Sequence, residues 1–424
     1  MLSRSKAPEH ALVSWGFLEG NYPNLVAAVC LDEYKKSALP HSIKKYTSKP
    51  LNYLVSYFCN ENIYFLEDQL LEDMFSNDRV DFPIDYTLMF DTNIASYVNS
   101  IVHGKSLGSL QAKIISFFDE VLYDDLNFDY LFYLVENVKN IKNILHIDFT
   151  SKLDFWKRLD KGFRNNLVSL QLFCGIDCQE YRRTSNPKSV LTYREAARNA
   201  IEFSHKFYNK KESKELLLSL ITIQRVILLQ LIGMIRIQLA SNRNSRKKMS
   251  DYFDYVNNVV GAYFDRESVI AHKYFDDRNK VSILRPFQKG MPTTGLLKRL
   301  DNIAWDMTAP RYMERLIVSL SETDRGRYFI PMFVSFDNNL RELLSFFPIK
   351  GVMYTKDTGD FMQIPKTSTL DYFDQHGCLD LIENMFKPEV KLARNSKPKH
   401  TRESVVKVIK EEYKELVRVI RRMA

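Results

Sequence analysis

The chain is expected to fold as an α/β protein: a parallel sheet flanked by helices, with a large helical insertion and helical extensions at both ends. Three observations lead there. The apolar run Tyr86-Thr87-Leu88-Met89-Phe90 ends in Asp91 and turns at once into helix-spaced Ile94, Tyr97, Val98 and Ile101. The arrangement recurs far downstream, where Phe329 to Val334 is followed by Ser335-Phe336-Asp337-Asn338. Between the two lies a long block whose apolar residues recur at helical spacing. An acid that follows a strand and precedes a helix stands outside the strand's carboxyl end, where open α/β sheets build their sites.

The elements follow in order. Residues 1–83 read as a helical N-terminal extension, with Leu51, Leu54, Val55 and Phe58, then Phe65, Leu70, Leu71 and Met74, at helical spacing between Pro23, Pro40 and Pro50. Residues 84–150 hold the first half of the α/β core: a strand at 86–90, a helix to about 103 stopped by Gly104 and Gly108, and helices at 109–123 and 128–145. Residues 151–280 form the insertion, with helices near 192–209, 213–240 and 250–275 and a basic loop from Ser241 to Lys248. Residues 281–396 hold the second half: a short strand Val281-Ser282-Ile283-Leu284, a helix from about 295, and strands at 328–335 and 349–354. A loop carrying Pro365 leads to residues 397–424, a basic amphipathic helix. There is no internal repeat.

Composition narrows the class. A hydrophobic fraction of 45% and a charged fraction of 26% suit an ordinary soluble protein, and the 28 Phe and 23 Tyr are read as core rings. Five scattered cysteines and no signal peptide suit a reducing cytoplasm, and Cys174 and Cys178 lack a second pair that would complete a zinc site. Residues 216–240 are apolar enough to span a bilayer, but Gln224, Arg225, Gln230 and Arg236 interrupt them, so a buried helix is expected and no membrane. Of the net charge of +8, +7 lies in Lys387 to Ala424, where twelve Lys or Arg face five Glu. The body is close to neutral.

Four acids carry the chemistry: Asp91, Glu136, Asp306 and Asp337. Asp91 and Asp337 end strands. Asp306 lies near the start of a helix through Tyr312 and Leu316, and Glu136 interrupts the apolar helix Tyr130-Leu131-Phe132-Tyr133-Leu134-Val135. A lone buried carboxylate is costly, so such a group is usually paired, protonated or bound to metal. Phosphodiester hydrolysis needs a strong nucleophile and charge neutralisation at the leaving oxygen. Hard divalent cations supply both and prefer carboxylate oxygens. Asn93 and Ser335 stand two residues from a candidate ligand and are candidates to orient it.

On these residues the chain resembles the PIN-like (PilT N-terminus) nuclease family. Asp91-Thr92-Asn93 is similar to the family's first motif; Glu136 follows 45 residues on, and Asp306 precedes Ser335-Phe336-Asp337 by 31. The 170 residues between Glu136 and Asp306 require the insertion to lie inside the domain, and Glu180 and Glu195 rival Glu136 as the helical Glu. The resemblance implies a PIN-like sheet and a metal-dependent nuclease using Mg²⁺ or Mn²⁺ at Asp91, Glu136, Asp306 and Asp337. RNA is the favoured substrate, the product would carry a 5′ phosphate, and a role as a toxin or antiviral defence effector fits the same analogy.

Other readings compete. Each Asp alone could simply cap its helix. Arg266 and His272 have the Arg-x-x-x-x-x-His spacing of HEPN-type metal-free ribonucleases, read as near one helical face. The chain could also be a non-catalytic scaffold or sensor with a degenerate nuclease fold. In the tail, Val405, Ile409, Tyr413, Leu416 and Ile420 form an apolar stripe that would close on the body or dock a protein partner, and Lys397, Lys399, His400 and Arg402 could contact nucleic-acid phosphates.

Overall fold

The computed structural model describes residues 24–30, 53–59, 63–76, 84–141, 151–319, 328–396 and 402–422. They form a mixed α/β fold with two four-stranded sheets among many helices. The strands are β1 (Leu25–Cys30), β2 (Leu54–Ser56), β3 (Ile63–Leu66), β4 (Ile84–Phe90), β5 (Phe128–Asp129), β6 (Tyr328–Val334), β7 (Ile349–Thr355) and β8 (Phe361–Pro365).

One sheet has the order β2-β6-β4-β5, with β4 parallel to both β6 and β5, and β2 antiparallel on the edge. The register sets Phe90 beside Val334, so the two acid-bearing strands end together. Both are buried runs rather than alternating ones, as expected of parallel strands covered on two faces. Leu88, Met89, Phe90, Ile330, Phe333 and Val334 are nearly inaccessible to solvent and pack against the helices Thr92–Val102, Gln111–Tyr123 and Leu296–Ser319.

The second sheet, β3-β1-β7-β8, is antiparallel throughout and was not expected. It corrects two readings. The helical N-terminal extension instead supplies β1, β2 and β3, and of the described residues only Asp68–Ser76 there is an α-helix. The 349–354 strand leaves the parallel sheet and pairs with β1. Physically, strands of three to six residues are too short to display a period, and pairing with distant β7 overrides local helical spacing. Pro40, Pro50 and Leu51 lie outside the described residues.

Three smaller corrections follow. Val281–Leu284 is a series of turns, not a strand. Residues 128–145 open with β5 before the helix Leu131–Asn137. The 250–275 helix is broken: Ser245–Tyr255 and a π turn stop at Gly261, whose φ of +72° reverses the chain, before Asp265–Asp276 resumes.

The block 151–280 is helical as expected. Its longest member, Lys211–Ala240, has the length and composition of a membrane span, yet most of it is covered by protein. Its polar residues are matched: Gln224 Nε2 donates to Asp301 Oδ1 at 2.9 Å, Gln230 accepts from the Tyr252 hydroxyl at 2.8 Å, and Arg236 pairs with Glu412 at 3.0 Å. Gly233 lets the Tyr255 ring lie against the helix, since a Cβ there would stand 2.2 Å from the ring.

The last helix, Arg402–Arg421, packs along this long helix through Val405, Ile409, Leu416 and Ile420, all buried. These four residues of the apolar stripe are therefore closed on the body. Lys397, Lys399 and His400 lie outside the described residues. Many of the expected core rings, Tyr208, Tyr252, Tyr312 and Phe90 among them, are fully buried, and none of the five cysteines is in a disulfide.

Candidate functional site: an acidic face at the ends of two parallel strands

Asp91 follows β4 directly. Its backbone N–H donates to the Val334 carbonyl at 3.2 Å, extending the ladder by one bond. The chain turns into the helix Thr92–Val102 because Asp91 caps it: Oδ1 accepts the Ile94 N–H at 2.9 Å. The other oxygen, Oδ2, accepts the Ser335 hydroxyl at 2.6 Å. Ser335 is fully buried, and its Oγ also accepts the Asp337 N–H at 3.1 Å. One hydroxyl thus ties the two strand-end acids together. Asp337 in turn caps Asn338–Ser345, Oδ1 accepting from Asn339 and Leu340.

The capping role and the site role coexist here. Each carboxylate oxygen has two lone pairs, so accepting one or two N–H groups does not exhaust the side chain.

Glu136, on the Leu131–Asn137 helix, is 8% exposed and fully engaged. Oε2 accepts the Thr92 hydroxyl, and Oε1 accepts Lys139 Nζ at 2.8 Å. Lys139 also reaches Asn302 at 3.1 Å, linking this helix to the one that carries Asp306. The rivals are placed elsewhere. Glu180 is solvent-exposed and pairs with Arg183 at 2.6 Å, and Glu195 closes a capping box with Thr192.

Asp306 corrects an expectation: it sits in the middle of Leu296–Ser319, not near its start. Pro310 lies four residues on and has no N–H, so the Asp306 carbonyl lacks its usual helical donor. The side chain is half-buried, and its carboxyl is pushed well above the ordinary range by burial, then by Glu136, Asp91 and Asp337. Lys139 pulls weakly the other way. Asp91, pressed by burial and by Glu136 and relieved by Ser335 and Ile94, is pushed up to about 6. Tyr97, half-buried beside them, has its hydroxyl raised by burial, Asp91 and Asp337.

The four acids therefore share one electrostatic neighbourhood. They are not a preformed ligand cage: among the described residues no group of three or more His, Cys, Asp or Glu is arranged to hold a metal ion. The donor set has the right chemistry for a hard cation, and two of its members are raised chiefly by burial, with the neighbouring carboxylates adding to it. Lys139 supplies the positive charge nearest to Glu136. Asn93 is exposed, and its backbone N–H, not its side chain, turns toward Asp91.

Arg266 and His272 are not brought together. Six residues on a helix separate two side chains by about 120° and 9 Å. Arg266 is set against Glu314 and the Phe347 ring, while His272 bonds the Tyr372 hydroxyl at 3.0 Å and packs on His376. Burial and His376 lower the His272 imidazole to about 4, which leaves it uncharged near neutrality.

Sequence reasoning missed Thr92, Lys139, Asn302 and Arg341. A cation three residues after a buried Glu was a readable signal for Lys139. Arg341 Nη1 donates to the Ser335 carbonyl at 2.6 Å, six residues back across the turn that Asp337 caps. Compared with known proteins, the chain matches no protein-family model, no curated protein and no solved structure.

Proposed function

We propose that the chain is a divalent-metal-dependent nuclease, PIN-like in kind, that hydrolyses phosphodiester bonds at the face formed by Asp91, Glu136, Asp306 and Asp337. The observation that carries this is geometric: Asp91 and Asp337 stand together where parallel β4 and β6 end, tied through Ser335. Asp306, from a third element, is close enough that Glu136, Asp91 and Asp337 add to burial in raising its carboxyl. Proteins seldom gather like charge in this way without a cation or a reaction to use it.

Asp91, Asp306 and Asp337 would hold Mg²⁺ or Mn²⁺, with Glu136 as the fourth acid. When bound, such an ion supplies a metal-activated water and neutralises the leaving oxygen. The chain's own residues hold the acids in place. Ser335 orients Asp91 and fixes the backbone of Asp337. Thr92 and Lys139 orient Glu136. RNA as substrate, a 5′-phosphate product, a cytoplasmic setting and a toxin or defence role rest on the sequence resemblance and composition alone.

A second reading has one observation in its favour. Lys139 already neutralises Glu136, and the acids are not arranged as ligands. On that reading the fold is a non-catalytic scaffold or sensor with an internal ammonium where a metal would sit. Calorimetric titration of Mn²⁺ into wild type and Asp306→Asn separates the two. The nuclease reading expects binding to wild type and its loss in the variant. No heat of binding in either would hand the site to the scaffold reading.

A further inference from the structure

A groove of about 400 Å³ opens beside the acidic face, between β2, the Asp265–Asp276 helix and the segment 341–348. The charged residues that line it are all basic, Arg266, Arg341 and Lys366, and Glu314 stands behind Arg266. Arg341 and Lys366 have no ion pair among the described residues. Arg341 spends its guanidinium on neutral oxygens, the Ser335 carbonyl and the Asn338 side chain, and Lys366 is exposed.

Arg266 is the less ordinary of the three. It is 5% exposed, yet its Nε and Nη1 have no hydrogen-bond partner. Its ion-pair partner, Glu314, stands 3.7 Å away, beyond hydrogen-bond distance, and the same Oε1 accepts the Tyr57 hydroxyl at 3.0 Å and Gln363 Nε2 at 2.5 Å. A buried guanidinium left without acceptors carries a large desolvation cost, and such groups in native folds call for an explanation. An anion in the groove would supply the counter-charge that Glu314 provides only at a distance.

We infer that this groove binds a phosphate group, borne either by a free nucleotide or by a nucleic-acid strand. Arg266 and Arg341 offer planar donor forks, the geometry that suits phosphate oxygens, and Lys366 adds a mobile point charge at the rim. The nearly buried rings of Tyr57, Phe58 and Phe347 shape the apolar wall of the same groove, and Phe347 carries the Arg266 guanidinium on its face. The volume lies within the range of small-ligand sites. Because Arg341 grips Ser335 and Ser335 grips Asp91, the groove adjoins the acidic face. The inference does not depend on that face being catalytic.

The test is calorimetric binding to the full chain in excess EDTA, which removes any metal-mediated contact with the acids. The ligands are inorganic phosphate, adenosine monophosphate, adenosine, and a trinucleotide with and without a 5′ phosphate. Phosphate-bearing ligands should bind, and adenosine should not. Lys366→Glu and Arg341→Gln should each weaken binding about tenfold, the scale of one charge-assisted hydrogen bond. Arg266→Lys should weaken it further, and the exposed Lys366→Glu decides the matter if that variant fails to fold. The 5′-phosphorylated trinucleotide binding more tightly than the monophosphate assigns a strand; equal affinities assign a free nucleotide. No binding of any phosphate ligand, or equal binding to wild type and Lys366→Glu, overturns the inference.

Discussion

The Ser335 hydroxyl donates a 2.6 Å hydrogen bond to Asp91 across the boundary between β6 and β4. The bond is fully buried and stabilises the ionised form of Asp91, holding its carboxyl lower than burial alone would. Ser335→Ala should therefore raise the Asp91 pKa further and leave the Asp337 N–H without its acceptor. A loss of about 1–2 kcal/mol is expected in urea unfolding at pH 7.5. No measurable loss would mean that the hydroxyl does not tie the two strand ends together.

Asp91→Asn should be more stable than wild type at neutral pH. Asparagine remains a good N-cap, so the bond to Ile94 survives. Folding raises the Asp91 carboxyl from 3.8 to about 6, so its favourable contribution is complete below pH 3.8 and is lost as pH rises through 6. The variant escapes that loss. The difference between the two proteins should be on the order of 2 kcal/mol above pH 7 and shrink toward zero near pH 4. Comparing the pair cancels other titrations, such as the depressed His272, which acts in the opposite direction. A variant less stable at every pH would show that the ionised carboxylate is not destabilised by burial and its neighbouring acids.

Lys139→Ala tests what the lysine does. It removes the partner of a buried carboxylate, so stability in EDTA should fall by about 1–3 kcal/mol. If Glu136 belongs to a cation site, Mn²⁺ should then restore more stability to the variant than it adds to wild type. An equal Mn²⁺ effect on both melting temperatures would remove Glu136 from the site.

For the tail, Leu416→Ala should cost about 2–5 kcal/mol, because Leu416 is wholly buried against the long 211–240 helix. Deleting residues 402–422 should expose that helix and cause aggregation, read by light scattering. A monomeric, stable truncation would show that the stripe does not hold the body together.

What was legible in the sequence was whatever local pattern controls. Apolar runs that meet an acid and then helical spacing gave β4, β6, Asp91 and Asp337, and long apolar periods gave the helical block with its 193–209 and 211–240 members. Glu136 stood out because a carboxylate in an apolar helix needs a reason. What was hidden depends on distant pairing. β1 and β3 acquire their identity from β7, and β8 forms only as its neighbour. Asp306 was assigned to a helix start, although its helix begins at Leu296 and continues past Pro310. Arg341 and Ser335 are only six residues apart, but their side-chain-to-carbonyl bond depends on the turn that Asp337 caps, which no spacing pattern announces.

The most direct test of the nuclease reading is cleavage of a 5′-labelled RNA by wild type, Asp91→Asn, Asp337→Asn and His272→Ala, each in EDTA and in Mn²⁺. Wild type and His272→Ala should cleave only with Mn²⁺ and leave a 5′ phosphate on the downstream product. Both aspartate variants should remain folded and lose on the order of 10²-fold or more in rate. Cleavage that persists in EDTA and disappears in His272→Ala, or full activity in Asp91→Asn, would contradict the account.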